Sequence, residues 1–476
     1  MTRRPVFALC VLMLLAPAVA AGAAGKEPAR TNVVLILIDD LGWTDVGCYG
    51  SRYYETPNID RLASDGMRFT NGYAACNVCS PTRAAIMTGK YPARLLLTQW
   101  LPSGRWSPTK NRLREGRYVS NLPLEEVTIA EALREAGYRT GFIGKWHLGT
   151  ETYYYPEHQG FDVNVAGRDY GAPGSYFYPF KGTWKIPTTG LALRKDSPLP
   201  GKEGDYLVDR LAEEAETFIR ENADKPFFLM LAHYAVHTPL QGKPDKVARY
   251  EKVPKDRRQG KPAYAAMVES VDDSVGRVMR TLRDLGLEDR TLVIFTSDNG
   301  GNARVTDNAP LRAGKGTNYE GGLRVPVVVK WPGRTRPGSI SDEPVISTDF
   351  YPTILAATGQ DPRPHQHVDG KSLVPVLTGA GGLDRDTLCW HYPHYNQHPQ
   401  SFPSSVIRAG DWKLMENLET GQVALYNLAD DVGERHNLAD RESTKAAELL
   451  GRLKAWRDAV GADPMRPNPE YEGARP

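Results

Sequence analysis

Uninterrupted apolar runs constrain the fold of this chain more than any other feature. They are VVLILI at 33–38, FFLMLA at 227–232, LVIFT at 292–296 and VPVVVKW at 325–331. A strand with one wet face alternates apolar and polar residues. A continuous run needs both faces covered, as in a parallel sheet held between helices. Amphipathic segments lie between the runs. Residues 128–136 open on a capping box, Thr128 and Glu131, and close at Gly137. Over 264–285, Tyr264, Met267, Val268, Val271, Val275, Val278, Leu282 and Leu285 share one helical face. The alternation predicts an α/β sandwich with right-handed crossovers. At 476 residues the chain can bury a large core and form more than one unit. The pattern changes after about residue 380. There SSVIRAGDWKLM and QVALYNL read as strands and STKAAELLGRLKAWRDAV as a helix, a small antiparallel sheet with a cover. Pro- and Gly-rich stretches at 170–204 and 309–338 read as long loops on the larger unit.

The chain opens with Arg3 and Arg4, an apolar stretch from Val6 to Ala16, and small residues with A-x-A patterns at Ala18/Ala20 and Ala21/Ala23. This is the pattern of a secretory signal peptide over residues 1–24, and its apolar run is short for a membrane span. Cys10 sits inside that run, which speaks against a lipid anchor. Removing the segment takes two arginines and no acid from a formal net charge of +2, leaving zero. That balance argues against bulk attraction to nucleic acid or to a membrane surface. No later run is long enough to span a bilayer. The expected organisation is a leader at 1–24, a catalytic α/β domain at 25–379 and a small α+β subdomain at 380–476. Export, to the periplasm or the medium, permits disulfides among Cys48, Cys76, Cys79 and Cys389.

Polar residues collect just after the apolar runs. VVLILI is followed by Asp39 and Asp40, LVIFT by Asp298 and Asn299, FFLMLA by His233 and His237, and RTGFIG by Lys145 and His147. Ligands in open α/β sheets bind at the carboxyl ends of the strands, so these groups are expected along one edge. Asp39, Asp40, Asp298 and Asn299 offer oxygen alone, a set suited to Ca²⁺, with Mg²⁺ as the alternative, rather than to zinc. The segment NVCSPTRAAIMTGKYP at 77–92 adds a helix start. Ser80 can cap it with Pro81 at its first position, which places Cys79 where free backbone N–H groups favour an anion. Arg83 lies one turn in, and Lys145 and Lys315 can add charge. The assembly suits a tetrahedral oxyanion beside a divalent cation. Cys76-x-x-Cys79 also has the spacing of a redox pair, but Pro81 and Arg83 have no place in one.

C-x-P-x-R followed by AAIMTGK resembles the signature of the formylglycine-dependent sulfatases. GYRTGFIGKWH at 137–147 is similar to that family's second signature, and HTPL at 237–240, SDNGG at 297–301 and the Lys315 region also fit. The resemblance runs from about residue 32 to the end. It implies an alkaline-phosphatase-like fold: a large mixed, mostly parallel sheet sandwiched by helices, with a smaller C-terminal antiparallel sheet and helix. It implies that a formylglycine-generating or sulfatase-maturating enzyme oxidises Cys79 to formylglycine (3-oxoalanine), whose hydrate attacks sulfur with one hydroxyl and expels sulfate through the other. By the same resemblance Asp39, Asp40, Asp298 and Asn299 bind the cation. Arg83 steadies the diol, Lys145 contacts diol and sulfate, and His147 is the base that triggers release. His237 and Lys315 flank the leaving oxygen, with His237 the better acid by its ordinary pKa near neutrality.

The implied activity is hydrolysis of a sulfate ester, with a phosphodiesterase or phosphonate hydrolase on the same fold, or a glycan-binding protein with unmodified Cys79, as alternatives. His233 reads as structural, and His365, His367, His391, His394 and His398 as loop or pocket residues. An exported enzyme meets sulfate chiefly on carbohydrates. Residues 104–117 hold Arg105, Lys110, Arg112, Arg114, Arg117 and Trp106, able to pair with sulfates and stack on a sugar, and WHYPHY at 390–395 could close the pocket opposite. The expected substrate is a sulfated carbohydrate, on galactose or N-acetylgalactosamine, with aryl sulfates as poor surrogates.

Overall fold

The computed structural model describes residues 1–2, 30–102, 104–149, 152–185, 192–195 and 197–473; the leader read at 1–24 therefore lies outside the described residues, save its first two. An eight-stranded sheet organises the larger part. Its strands are β1 (Asn32–Ile38), β2 (Met67–Phe69), β3 (Arg139–Gly144), β4 (Val163–Val165), β5 (Phe227–Ala232), β6 (Thr291–Ser297), β7 (Val327–Lys330) and β8 (Ser339–Ser341). Across the sheet they run β8-β2-β7-β6-β1-β5-β3-β4. Every pairing is parallel except the two made by β7. The run at 325–331, read among parallel strands, is thus the antiparallel member. Burial on both faces makes a strand uniformly apolar whichever way it runs.

Helices cover both faces: α1 (Pro57–Asp65), α2 (Cys79–Thr88), α3 (Ile129–Glu135), α4 (Leu207–Glu221), α5 (Pro262–Asp284) and α6 (Phe350–Ala357). Alternate residues of β1 divide between them. Val34, Ile36 and Ile38 join a core with Leu62 of α1, Leu211 of α4 and Val275 of α5. Val33, Leu35 and Leu37 join another with Ile86 of α2, Leu133 of α3 and Ile354 of α6. The capping box forms as read: Thr128 Oγ1 accepts the Glu131 N–H at 3.1 Å, and Glu131 Oε2 accepts the Thr128 N–H at 2.8 Å.

A four-stranded antiparallel sheet follows, β9 (Thr387–Tyr392), β10 (Ser404–Ala409), β11 (Trp412–Asn417) and β12 (Val423–Asn427), with helix α7 (Ser443–Val460) against it. Leu449 and Leu453 of α7 pack on Ile407, Leu414 and Leu425. The opposite face, through Trp390, Val406 and Met415, packs on Tyr73, Ala85 and Leu323 of the larger part. Among the described residues no helix is long and apolar enough to cross a membrane.

Candidate active site

The register of the central strands lines up their carboxyl ends. Ile38 lies opposite Ser297, Leu37 opposite Ala232, and Ala232 opposite Gly144. The residues that leave β1, β6, β5 and β3 therefore emerge at one level, the arrangement read from the sequence. Two of them turn sharply: Asp40 has φ +65° and His147 φ +60°. A non-glycine residue in the left-handed region costs free energy and persists where its surroundings impose it, commonly at functional sites. Helix α2 delivers Cys79 and Arg83 to the same place. It begins at Cys79, so Ser80 is not its cap; the Ser80 hydroxyl instead accepts the Leu101 N–H at 3.2 Å. Proline lacks an N–H that no first-turn residue needs, so Pro81 is tolerated in the first turn without marking its first residue.

Each buried cation here meets a buried acid. Arg83 donates through Nε to Asp298 Oδ2 at 2.8 Å and through a terminal nitrogen to the Lys145 carbonyl at 2.6 Å. Lys145 Nζ reaches Asp39 Oδ2 at 2.6 Å, and Lys315 Nζ reaches Asp40 Oδ1 at 2.5 Å. Asn299 Nδ2 also donates to Asp40 Oδ1, at 2.8 Å. Cys79 Sγ and one carboxylate oxygen each from Asp39 and Asp298 lie within 4.8 Å of one another. Burial, with the negative charge of Asp298, raises the Asp39 pKa well above its ordinary value. Burial also acts to raise Asp40, but Lys315, His237 and Lys145 outweigh it and hold that carboxyl low. Burial raises the Cys79 thiol, with Lys145 and Lys315 opposing.

Two oxygens in this cluster are buried without a hydrogen-bond partner, Oδ1 of Asp39 and Oδ1 of Asn299. Both are acceptors with lone pairs and no donor, a costly state in a protein interior. A hard cation would satisfy both and would relieve the repulsion that raises Asp39. The residues thus fit an oxygen-ligated divalent ion.

The two histidines differ. His147 Nε2 lies 2.6 Å from the Leu101 carbonyl and so carries the hydrogen in the neutral ring; Nδ1 is buried without a partner and keeps its lone pair. Burial and Lys145 push its pKa well below 6.5. His237 Nδ1 lies 2.8 Å from the Thr238 carbonyl, and Nε2 is 3.7 Å from Asp40 Oδ2. Burial and then Lys315 lower His237 well below 6.5 against the pull of Asp40, so the near-neutral pKa expected of it is not met.

These groups open into a cavity of about 430 Å³, lined among others by Asp40, Cys79, His147, His237 and Lys315. All ten residues read as catalytic or metal-binding are thereby placed in or against one cluster. His233 lies apart, buried with Nε2 2.9 Å from the Ser274 hydroxyl. Of the scattered histidines, His398 lines the cavity. His391 bonds Ser405, His394 bonds Thr98, His367 accepts the Arg363 N–H, and His365 is exposed. The basic loop is mostly spoken for: Arg114 pairs with Glu470 and Arg117 with Asp463, while Lys110 and Arg112 face solvent. Arg105 does line the cavity. Trp106 does not; its Nε1 donates to the Leu113 carbonyl. Trp390 and Tyr392 are core residues of β9, and the next loop supplies Gln397 and His398 to the cavity instead. Gly171, Trp100 and Lys195 are further wall residues that spacing in the sequence did not single out. Cys48, Cys76, Cys79 and Cys389 are free thiols.

Comparison with known proteins agrees with this geometry. Residues 31–360 match the family model described as Sulfatase, and residues 314–458 match one described as N-sulphoglucosamine sulphohydrolase, C-terminal. Human arylsulfatase A is 35% identical over 93% of this chain and 91% of its own length. A sulfatase of Formosa agariphila is 34% identical over 93% and 92%. The crystal structure of Ps i-CgsB in complex with k-i-k-neocarrahexaose superposes with a TM-score of 0.75 at 31% identity, covering 90% of this chain and 92% of that one. The phosphonate monoester hydrolase of Agrobacterium radiobacter, at 22% identity and a TM-score of 0.65, shares the fold. The chain belongs to the sulfatase family and is a sulfuric ester hydrolase.

Proposed function

We propose that this enzyme hydrolyses a sulfate ester of a carbohydrate, using Cys79 after its conversion to formylglycine by a maturation enzyme and a divalent cation, Ca²⁺ before Mg²⁺. The observation that carries this reading is the pair of orphaned oxygens, Asp39 Oδ1 and Asn299 Oδ1, within the cluster that also holds Cys79. Asp39, Asp40, Asp298 and Asn299 would hold the cation, which would supply charge stabilisation to the transferring sulfuryl group. Cys79 Sγ stands where the oxygens of the hydrated aldehyde belong, and that hydrate supplies a nucleophilic hydroxyl and a second one whose deprotonation frees sulfate. Arg83 and Lys145, both fully buried, orient residue 79 and meet the anion's charge in a site that excludes water. His147, neutral and with Nδ1 lacking a protein partner, takes the proton that starts release. Lys315 faces the developing charge on the leaving oxygen. His237 flanks the same oxygen as its proton donor, a role in which the negative charge of Asp40 and of the bound sulfate ester must outweigh the burial and the Lys315 charge that lower its pKa.

The carbohydrate substrate is supported by relatives in name. Human N-acetylgalactosamine-6-sulfatase is 34% identical over 91% of this chain and 85% of its own length, and Ps i-CgsB was solved with a neocarrahexaose. The signal-like segment supports export to the periplasm or the medium. We assign catalysis to residues 25–379 and a smaller unit to 380–476. The test is a panel of sulfated mono- and oligosaccharides beside an aryl sulfate and the phosphate ester of the same alcohol. The proposal expects sulfate release from sugars to exceed that from the aryl ester. Faster cleavage of the phosphate ester would defeat the sulfatase assignment, and cleavage of the aryl sulfate alone would defeat the carbohydrate one.

A further inference from the structure

Three histidines line the cavity, and two of them bond a backbone carbonyl: His147 that of Leu101 and His237 that of Thr238. His398 is different. Its backbone N–H donates to Asn396 Oδ1 at 2.8 Å, but neither nitrogen of its half-buried imidazole has a hydrogen-bond partner among the described residues. The ring is nonetheless held in place. It packs on Gly316, where φ is +81° and a Cβ would come within 2.5 Å of His398 Cδ2. The residues before it fasten its loop to the larger part. Asn396 Nδ2 donates to the Gly316 carbonyl at 2.8 Å, Arg105 Nε donates to Gln397 Oε1 at 2.7 Å, and Arg304 donates to the Gln397 carbonyl at 2.7 Å. Gly316 directly follows Lys315, so His398 stands on the side of the cavity assigned above to the leaving oxygen.

An oriented polar ring in a cavity wall, with both nitrogens unmatched by protein, is completed by a bound group. Its surroundings select the kind of group. Burial and then Lys315 lower the ring's pKa from 6.5 to about 4 against the pull of Asp40, with Arg304 and Arg105 adding to the effect. The ring is therefore neutral near pH 7 and offers one donor and one acceptor. A sulfate or carboxylate only accepts. A hydroxyl both gives and takes a hydrogen and suits either ring nitrogen. A sulfated sugar carries hydroxyls on the carbons beside its ester, and a simple aryl sulfate carries none.

We propose that His398 is a specificity-determining residue whose imidazole bonds a free hydroxyl of the sulfated sugar ring, close to the ester that is cleaved. This rests on the carbohydrate sulfate reading above, and it assigns to a loop of the smaller part a share in choosing the substrate.

The experiment measures kcat/KM on one sulfated monosaccharide and on analogues lacking each ring hydroxyl in turn, with an aryl sulfate as reference. A site built to bond a hydroxyl rejects the analogue that lacks it, so the wild-type enzyme is expected to lose about tenfold or more on one deoxy sugar. His398→Phe keeps a ring against Gly316 and removes both nitrogens. It is expected to bring the parent sugar and that deoxy sugar to within about twofold of each other, by lowering the rate on the parent. His398→Leu, which demands less room, should do the same if the Phe variant does not fold, and His398→Gln should keep part of the preference. Equal wild-type rates on the parent and all deoxy sugars would overturn the assignment. So would a wild-type preference that survives in the Phe or Leu variant, or a loss by one common factor on every substrate, the aryl sulfate included. Failure of the wild type on all the sugars while it cleaves the aryl sulfate would overturn the carbohydrate reading beneath it.

Discussion

His147 shows how much chemistry one buried side chain can declare. Its Nε2–H is committed to the Leu101 carbonyl, so the neutral ring presents a bare lone pair on Nδ1. A base must be unprotonated to act, and burial together with Lys145 keeps this imidazole neutral well below its ordinary value of 6.5. As pH falls, activity is lost only once the ring gains a proton. The acid limb of kcat assigned to His147 is therefore expected below pH 6.5. A pH–rate profile would contradict the role if its acid limb lay at or above that value and vanished in His147→Gln. Identities of this kind were legible in the sequence because the chemistry demands particular residue types: four oxygen ligands, a cysteine, an arginine one turn on. Their states were not. Nothing local in the chain announces that Lys315 sits against His237's environment and lowers its pKa, since the two meet only through the fold.

At the scale of elements, the apolar runs revealed the strands, and the residues after them revealed the site, because a buried parallel sheet leaves one edge for polar groups. The loops were harder to read. Gly171 is one case. A Cβ placed there would overlap the His147 ring, 2.6 Å from its Nε2. The loop can pack against the imidazole only because position 171 has no side chain. Gly171→Ala is expected to displace the ring and lower kcat by about a hundredfold, since small misplacements of a reacting group are that costly. The melting temperature should change little, because the clash is at the cavity wall and not in the core. Wild-type kcat in this variant would show that the ring position is unimportant. Gln397 also escaped notice, and His398 was legible only as one of five loop or pocket histidines. The aromatic stretch before them drew attention, yet Trp390 faces the core and donates its indole N–H to the Ala74 carbonyl at 2.8 Å. Aromatic residues near a site are as often packing as recognition, and only the sheet's register decides between them.

For the whole molecule, the small sheet is joined to the large part by buried charge as well as by apolar packing. Lys413 of β11 lies between Glu320 at 2.9 Å and Glu434 at 2.8 Å, all three fully buried. Removing one partner of a buried ionic cluster leaves charge uncompensated and costs about 3–5 kcal/mol. Lys413→Met should destabilise the protein by that order, measured by urea unfolding. The effect has a pH signature. Burial, opposed by Lys413, already raises Glu434 from 4.5 to about 7, so the folded state holds this proton more tightly than the unfolded chain. A raised carboxyl pKa means stability falls as pH rises through that window. Lys413 also outweighs burial at Glu320 and holds that carboxyl at about 2; without Lys413 both carboxyls need protons more, so the deficit of Lys413→Met should grow from about pH 2 upward and be smallest in strong acid. A deficit independent of pH would show that the cluster is not held together by charge. None of this was readable from the sequence, where Glu320, Lys413 and Glu434 are separated by long stretches and carry no motif.

The central claim is that the folded enzyme works through an oxidised residue 79. The most direct measurement is the mass of the peptide spanning residues 69–83 from a preparation with measured sulfatase activity. The account predicts that this peptide carries an aldehyde at position 79 in place of the thiol, in a fraction that rises and falls with specific activity, and that it reacts with a hydrazide. A fully active preparation in which Cys79 is an unmodified cysteine throughout would contradict it.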